Sequence, residues 1–200
     1  MRGGARGILS ALALFVSACT LPSAPLPSTL TRSDGPPERN IMQEENFILH
    51  ARFSLAQNAL PGAQEAPRQF AGRLRWRHAA NGDEWFFSDP LGQGVALVQG
   101  RPDGSFAWNE QTFASQEALE EALGIPLPLA ELVSWIQAKP GRGALVEADQ
   151  QGRPWRVRES GWLLLYHYAD DGETRPVRLD ASLENLKLKL FIESREPSGP

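Results

Sequence analysis

Between Phe47 and Glu193 the apolar residues fall at alternate positions in short runs, and Gly, Pro, Asn or Asp closes most of them. A period of two places every other side chain on one face of an extended backbone, so this pattern commits the chain to antiparallel strands. Nine strands are predicted: Phe47–Ala56, Gln69–His78, Glu84–Ser88, Gly94–Gln99, Ser105–Trp108, Trp155–Glu159, Trp162–Ala169, Arg175–Ala181 and Leu186–Glu193. Asn81-Gly82-Asp83, Pro102-Asp103-Gly104, Ser160-Gly161 and Asp170-Asp171-Gly172 supply turn residues that tolerate positive φ.

The strands differ in the polarity of their second face. Phe70, Leu74 and Trp76 share one parity of Gln69–His78, and Arg73, Arg75 and Arg77 share the other, which therefore faces water. In Trp162–Ala169 the residues Trp162, Leu164, Tyr166 and Tyr168 oppose Leu163 and Leu165, so this strand needs cover on both sides. One face can meet a helix, and the other suggests a sheet curled around an apolar interior.

Two segments switch to helical spacing. Ser115 can cap a helix that has Glu117 in its first turn, Ala118, Leu119, Ala122 and Leu123 on one side, and Gly124 as its stop. The second runs from about Pro128 to Ala138, with Leu129, Leu132, Val133 and Ile136 at i, i+3, i+4 and i+7. A weaker third helical turn is expected within Glu38–Asn46, opened by Pro36-Pro37.

The N-terminal residues read as an export signal. Arg2 and Arg6 precede an uncharged apolar run from Gly7 to Ala18. That run is well short of the ~20 residues a membrane-spanning helix needs. It ends in Val16-Ser17-Ala18-Cys19, which fits a lipobox: cleavage before Cys19 and acylation of its thiol. Thr20 follows, and the absence of aspartate there favours the outer membrane over the inner. Leu21–Pro37, dense in Pro, Ser and Thr, reads as an extended tether. The expected organisation is a signal over 1–18, an acylated tether over 19–37, one domain over 38–196 and a frayed tail over 197–200.

Other function classes recede on composition. The chain holds 20 Lys and Arg against 24 Asp and Glu; the signal removes two of the former, and the acidic remainder makes a nucleic-acid partner unexpected. Cys19 is the only cysteine, which excludes an internal disulfide and leaves no other thiol for catalysis or metal binding. His50, His78 and His167 sit on separate strands without i+2 or i+4 partners, so no metal site is expected. No G-x-S-x-G, HExxH or P-loop pattern occurs, and the reading is of a non-enzyme without cofactor.

Three blocks carry a resemblance to a known family. They are Phe70-Ala71-Gly72-Arg73-Leu74-Arg75-Trp76, Ser88-Asp89-Pro90-Leu91-Gly92-Gln93, and Gly124-Ile125-Pro126-Leu127-Pro128-Leu129 followed by Leu132, Trp135-Ile136 and Pro140-Gly141. In this order, after the lipobox and before the Leu186–Ile192 strand, they resemble the LolB family of outer-membrane lipoprotein receptors. Gln137-Ala138-Lys139 departs from it where a glycine-containing stretch is common, and Gln57–Arg68 is a long connection.

The resemblance implies an incomplete, strongly curved antiparallel barrel, mainly β, that encloses an apolar cavity and has about three helices over its open side. It implies a monomer that accepts lipoproteins from the periplasmic carrier LolA and places their acyl chains among outer-membrane phospholipids without ATP. An exposed leucine in the second block would serve membrane insertion, a role that falls on Leu91 within Asp89-Pro90-Leu91-Gly92. Phe53, Leu74, Trp76, Phe87, Leu97, Trp108 and Leu164 are the expected cavity lining. The expected lid is the second helix, with Leu129, Leu132, Val133, Trp135 and Ile136. A rival reading is an envelope-assembly or structural lipoprotein that binds a protein partner through the same curved sheet.

Overall fold

The computed structural model describes residues 30–35, 46–59 and 66–198. In them the alternating runs join into one twelve-stranded sheet with two helices. The strands are β1 (Leu30–Arg32), β2 (Phe47–Gln57), β3 (Arg68–Ala79), β4 (Gly82–Ser88), β5 (Gly94–Gly100), β6 (Phe106–Trp108), β7 (Gln111–Phe113), β8 (Leu145–Ala148), β9 (Pro154–Glu159), β10 (Trp162–His167), β11 (Arg178–Leu183) and β12 (Leu186–Pro197). The helices are α1 (Gln116–Leu123) and α2 (Leu129–Trp135), both between β7 and β8. Cys19, the signal, most of the tether, almost all of the third expected helical turn and positions 60–65 lie outside the described residues.

Spatial order is β1-β8-β9-β10-β11-β12-β2-β3-β4-β5-β6-β7, and every neighbouring pair is antiparallel. The terminal strands β1 and β7 are not paired to each other, so the sheet is unclosed. It is nevertheless strongly curved. Ser33, just beyond β1, lines the same hollow as Gly100 and Phe106 of β5 and β6, although eight strands separate β1 from β5 in the sheet order. Only a sheet that curls most of the way around brings those ends together.

The concave face holds the core. Leu49, Trp76, Trp85, Val157, Leu164 and Leu179 are at most 1% exposed. The helices lie over this face: α1 buries Leu119, and α2 buries Leu129, Leu132 and Trp135. On α1 the side chain of Ser115 accepts the Ala118 N–H, and Gly124 closes the helix at φ +64°, as the spacing of these residues predicts. α2 is shorter than the expected Pro128–Ala138. Its backbone turns away after Ile136, and Ala138 sits at φ +52°, with the Lys139 N–H bonded back to the Ser134 carbonyl. This is a left-handed helix stop occupied by alanine instead of the glycine that takes it without strain.

Gly72 fixes the fit of β3 to β4. A Cβ built there would overlap the Ser88 carbonyl oxygen and press on the Phe53 ring, so only glycine allows the bulge at Phe87/Ser88 to close against β3. At the other edge, Leu30–Arg32, within the expected tether, pairs with Arg32 against Leu145 and Leu30 against Glu147. Pro197, expected at the start of the frayed tail, ends β12 and pairs with Phe47. The two-faced apolar strand β10 buries Trp162, Leu164 and Tyr166 inward, and half-buries Leu163 and Leu165 outward beside Arg158 and Arg156. Among the described residues, the cross-strand neighbours on that outer side are arginines, whose aliphatic stems can cover apolar surface.

Candidate functional site

Where the curled sheet fails to close, an open cleft of about 1240 Å³ remains. Its walls come from the β3–β4 and β5–β6 turns on one side and from Ser33, Gly35 and the 138–142 loop on the other. The N-terminus of α1 and the α2 residues Ala130, Val133 and Ser134 complete it. The volume exceeds the ~300–1,000 Å³ of ordinary small-molecule pockets.

Trp85 and Phe106 contribute its apolar floor. They belong to an aromatic row built across four strands: Phe47 meets Trp76 edge-on at 5.2 Å, Trp76 meets Trp85 at 5.7 Å, and Trp85 stacks on Phe106 at 6.3 Å. Trp76 Nε1 donates to Asp83 Oδ1 at 2.6 Å, and His78 Nδ1 lies 2.8 Å from the same oxygen, which ties the row to the β4 end of the cleft. Trp85 Nε1 is buried without a partner among the described residues. Its charged lining residues are Arg101, Lys139 and Arg142 with Asp83 and Glu117.

The far wall is held by the segment after β1. Ser33 N–H donates to the Ala144 carbonyl, Gly143 N–H donates to the Ser33 carbonyl, and Ser33 Oγ bonds the Pro140 carbonyl at 3.2 Å. From below, Glu159 Oε1 accepts the Gly141 N–H at 3.1 Å. Burial pushes the Glu159 carboxyl above the usual range; the Gly141 bond opposes this, and the charge of Glu131 adds to it. Burial likewise raises the Tyr166 phenol, with the Glu159 charge as a further cause.

The residues expected to line the cavity are placed differently. Leu74, Trp76 and Leu164 are buried in the core, and Phe53, Phe87 and Trp108 pack against it; none of them borders the cleft. Leu97 pairs with Phe86 on the convex face, opposite in parity to buried Val98. The reason is that α1 and α2 fill the middle of the concave face with Leu119, Leu129, Leu132, Trp135 and Ile136, and the cleft lies at one end of that face. Of the five expected lid residues, four are core, and Val133 alone borders the cleft. Trp85 and Phe106 were missed. Trp85 lies within Glu84–Ser88, where only Phe87 stood out as a candidate, and the cleft position of Phe106 depends on sheet curvature.

The Asp89-Pro90-Leu91-Gly92 corner joins β4 to β5 at the opposite end of the strands. With seven residues in β4, it stands about 20 Å from the β3–β4 turn at the cleft. Asp89 organises it: Oδ1 accepts the Leu91 and Gln93 N–H groups, each at 2.9 Å, and its carbonyl accepts the Gly92 N–H. Asp, Pro and Gly stand where a type I turn prefers them. The loop therefore holds Leu91 outward, 86% exposed, the most exposed large hydrophobic residue among those described. No helix among the described residues is long and apolar enough to cross a membrane.

Comparison with known proteins gives this geometry a family. The family model for the outer membrane lipoprotein LolB matches residues 46–194. The outer-membrane lipoprotein LolB of Dechloromonas aromatica (strain RCB) is 34% identical over 178 residues, covering 86% of this chain and 87% of its own. That of Azoarcus sp. (strain BH72) is 32% identical over 206 residues, covering 96% and 97%. That of Thiobacillus denitrificans is 35% identical over 141 residues, covering 66% and 75%. The chain belongs to the LolB family of outer-membrane lipoproteins.

Proposed function

We propose that this protein is an outer-membrane-anchored receptor that takes lipoproteins from the periplasmic carrier LolA into its cleft and places their acyl chains in the outer membrane without ATP. The observation that carries this reading is the cleft itself: about 1240 Å³, floored by Trp85 and Phe106, in a member of the LolB family. Each methylene taken from water is worth about 0.8 kcal/mol, so an acylated protein needs shelter to cross an aqueous compartment. A cleft open to solvent on one side shelters chains and also lets them go. Transfer without nucleotide then runs downhill from carrier to receptor to bilayer, which requires the receptor to bind with intermediate strength.

Leu91 serves the second half of this task. Its side chain is presented by a rigid corner and enters the bilayer, while Cys19, acylated, tethers the domain. Because corner and cleft lie at opposite ends of β4, acceptance and delivery are separable functions. The test is to mix LolA loaded with a lipoprotein and the mature chain carrying Cys19→Ala, without nucleotide. Cargo recovered on the chain is the expected result. Cargo that stays with the carrier overturns the proposal and leaves protein-partner binding as the reading to pursue.

A further inference from the structure

The convex face of the sheet carries a charge opposite to that of the chain. The whole sequence has a formal charge of −4, yet the outward positions of β2, β3 and β12 hold Arg52, Arg73, Arg75, Arg77, Lys187 and Lys189. Register shows how closely they are set. Arg52 lies directly across from Arg73, and both belong to the row Phe191–Arg52–Arg73–Ser88 that ends at the base of the Leu91 corner. Like charges directly opposite one another destabilise a sheet; Glu193 answers Arg52, and the ion pairs of the described residues give Arg73 no such counter-charge.

Acidic neighbours balance this face only in part. Arg52 is paired with Glu193 at 2.9 Å; Asp180, directly across from Lys189, is bonded to Arg178 and His167, and Glu147 is bonded to Arg156. Glu84 lies toward the cleft end, across from Arg77, and accepts from Gln99. Among the described residues, Glu184, exposed in the β11–β12 turn, and Asp89, engaged with backbone N–H groups, are the acids at the Leu91 end. The ion pairs of the described residues leave out Arg73, Arg75, Lys187 and Lys189.

Apolar groups continue this basic field. Arg75 pairs across to Phe86, which pairs to Leu97, on the same convex face. Phe86 is 37% exposed, Val95 beside the corner is 64% exposed, and Leu91 follows at the tip. Cations grading into exposed hydrophobic residues match an interface of anionic headgroups above hydrocarbon.

We infer that the convex face around Arg73, Arg75, Lys187 and Lys189 is a docking surface for anionic phospholipid, which lays the domain on the membrane by its back while Leu91 enters the bilayer. The inference rests on the membrane role proposed for Leu91 and adds the face, the lipid charge and the orientation. Docked this way, the cleft end stays away from the bilayer and open to an incoming carrier.

The test is partitioning of the mature chain carrying Cys19→Ala onto vesicles of phosphatidylcholine with and without phosphatidylglycerol. The expected result is a preference for phosphatidylglycerol that weakens with salt. At about fivefold per neutralised cation, Arg73→Gln with Arg75→Gln lowers binding to the anionic vesicles about 25-fold and leaves phosphatidylcholine binding unchanged. Leu91→Glu lowers binding to both. No preference for phosphatidylglycerol, or unchanged binding by the double arginine variant with its thermal unfolding intact, overturns the inference. Loss of carrier handover in that variant without loss of lipid binding also overturns it, and assigns the face to an acidic protein. If Leu91→Glu binds both vesicles normally while the arginine effect persists, the corner's role fails and the docking face stands.

Discussion

Replacing Leu91 by glutamate separates delivery from acceptance. The side chain is 86% exposed and its loop is held by Asp89 through backbone bonds, so the substitution removes little native packing. Stability should change by no more than about 0.5 kcal/mol, as at other surface positions. On a membrane the loss is larger. Burying a leucine side chain in hydrocarbon is worth about 1.5–3 kcal/mol, and a glutamate at the tip stays in water. With a factor of ten for each ~1.4 kcal/mol, delivery should fall about tenfold to hundredfold. The assay has two readouts on one sample: cargo that moves from loaded carrier to the domain, and cargo that floats with added vesicles. The expected outcome is normal uptake with delivery reduced by that factor, and an intermediate loss for Leu91→Ser. Delivery within twofold of the parent, or uptake falling in step with delivery, would refute the reasoning.

Three further outcomes follow from the fold. Gly72→Ala drives a methyl group into the Ser88 carbonyl and should cost about 1–3 kcal/mol by denaturant unfolding, with Phe53 and Phe87 displaced. Ala130→Trp, at an exposed α2 position on the cleft wall, should leave thermal stability nearly unchanged and cut uptake of a fluorescent fatty-acid probe. Glu159→Gln should stabilise at pH 7 by about 1 kcal/mol, or a rise in Tm of about 2–4 °C, because Oε1 still accepts from Gly141 while the charge on a half-buried carboxylate, whose Oε2 has no hydrogen-bond partner among the described residues, disappears. The sign follows from the raised folded-state pKa. The wild-type group contributes most below its ordinary value of about 4.5, where it is protonated in both states, and that contribution is lost as pH rises through the folded value. The gain from Gln should therefore shrink as pH falls toward 4.5; a gain that is constant with pH would contradict the assignment.

What could be read from residues alone was local. Long alternating runs such as Arg68–Ala79 and Leu186–Pro197 declare themselves, and Ser115 and Gly124 mark the ends of α1 because capping is a short-range interaction. Leu91 was legible for the same reason, since Asp, Pro and Gly around an apolar residue define a corner by themselves. Strands β1, β7 and β8 escaped because three or four residues show too little alternation, and Leu30–Arg32 acquires its structure only from pairing with β8. The cleft lining was illegible because parity distinguishes concave from convex but not open space from core. Trp76 and Trp85 are opposite each other on the same face, and only the placement of the helices makes the second a wall and the first a filler. Leu97 misled because a leucine in a short run carries no mark of its face.

The claim that acyl chains occupy the cleft is tested most directly by photo-crosslinking. A photoreactive residue is placed singly at Phe106, Val133 or Leu97, and each variant is loaded with cargo from LolA. Acyl-chain adducts at Phe106 and Val133, with none at Leu97 on the convex face, are the result this account predicts. Adducts at Leu97 and none at the two cleft positions would contradict it.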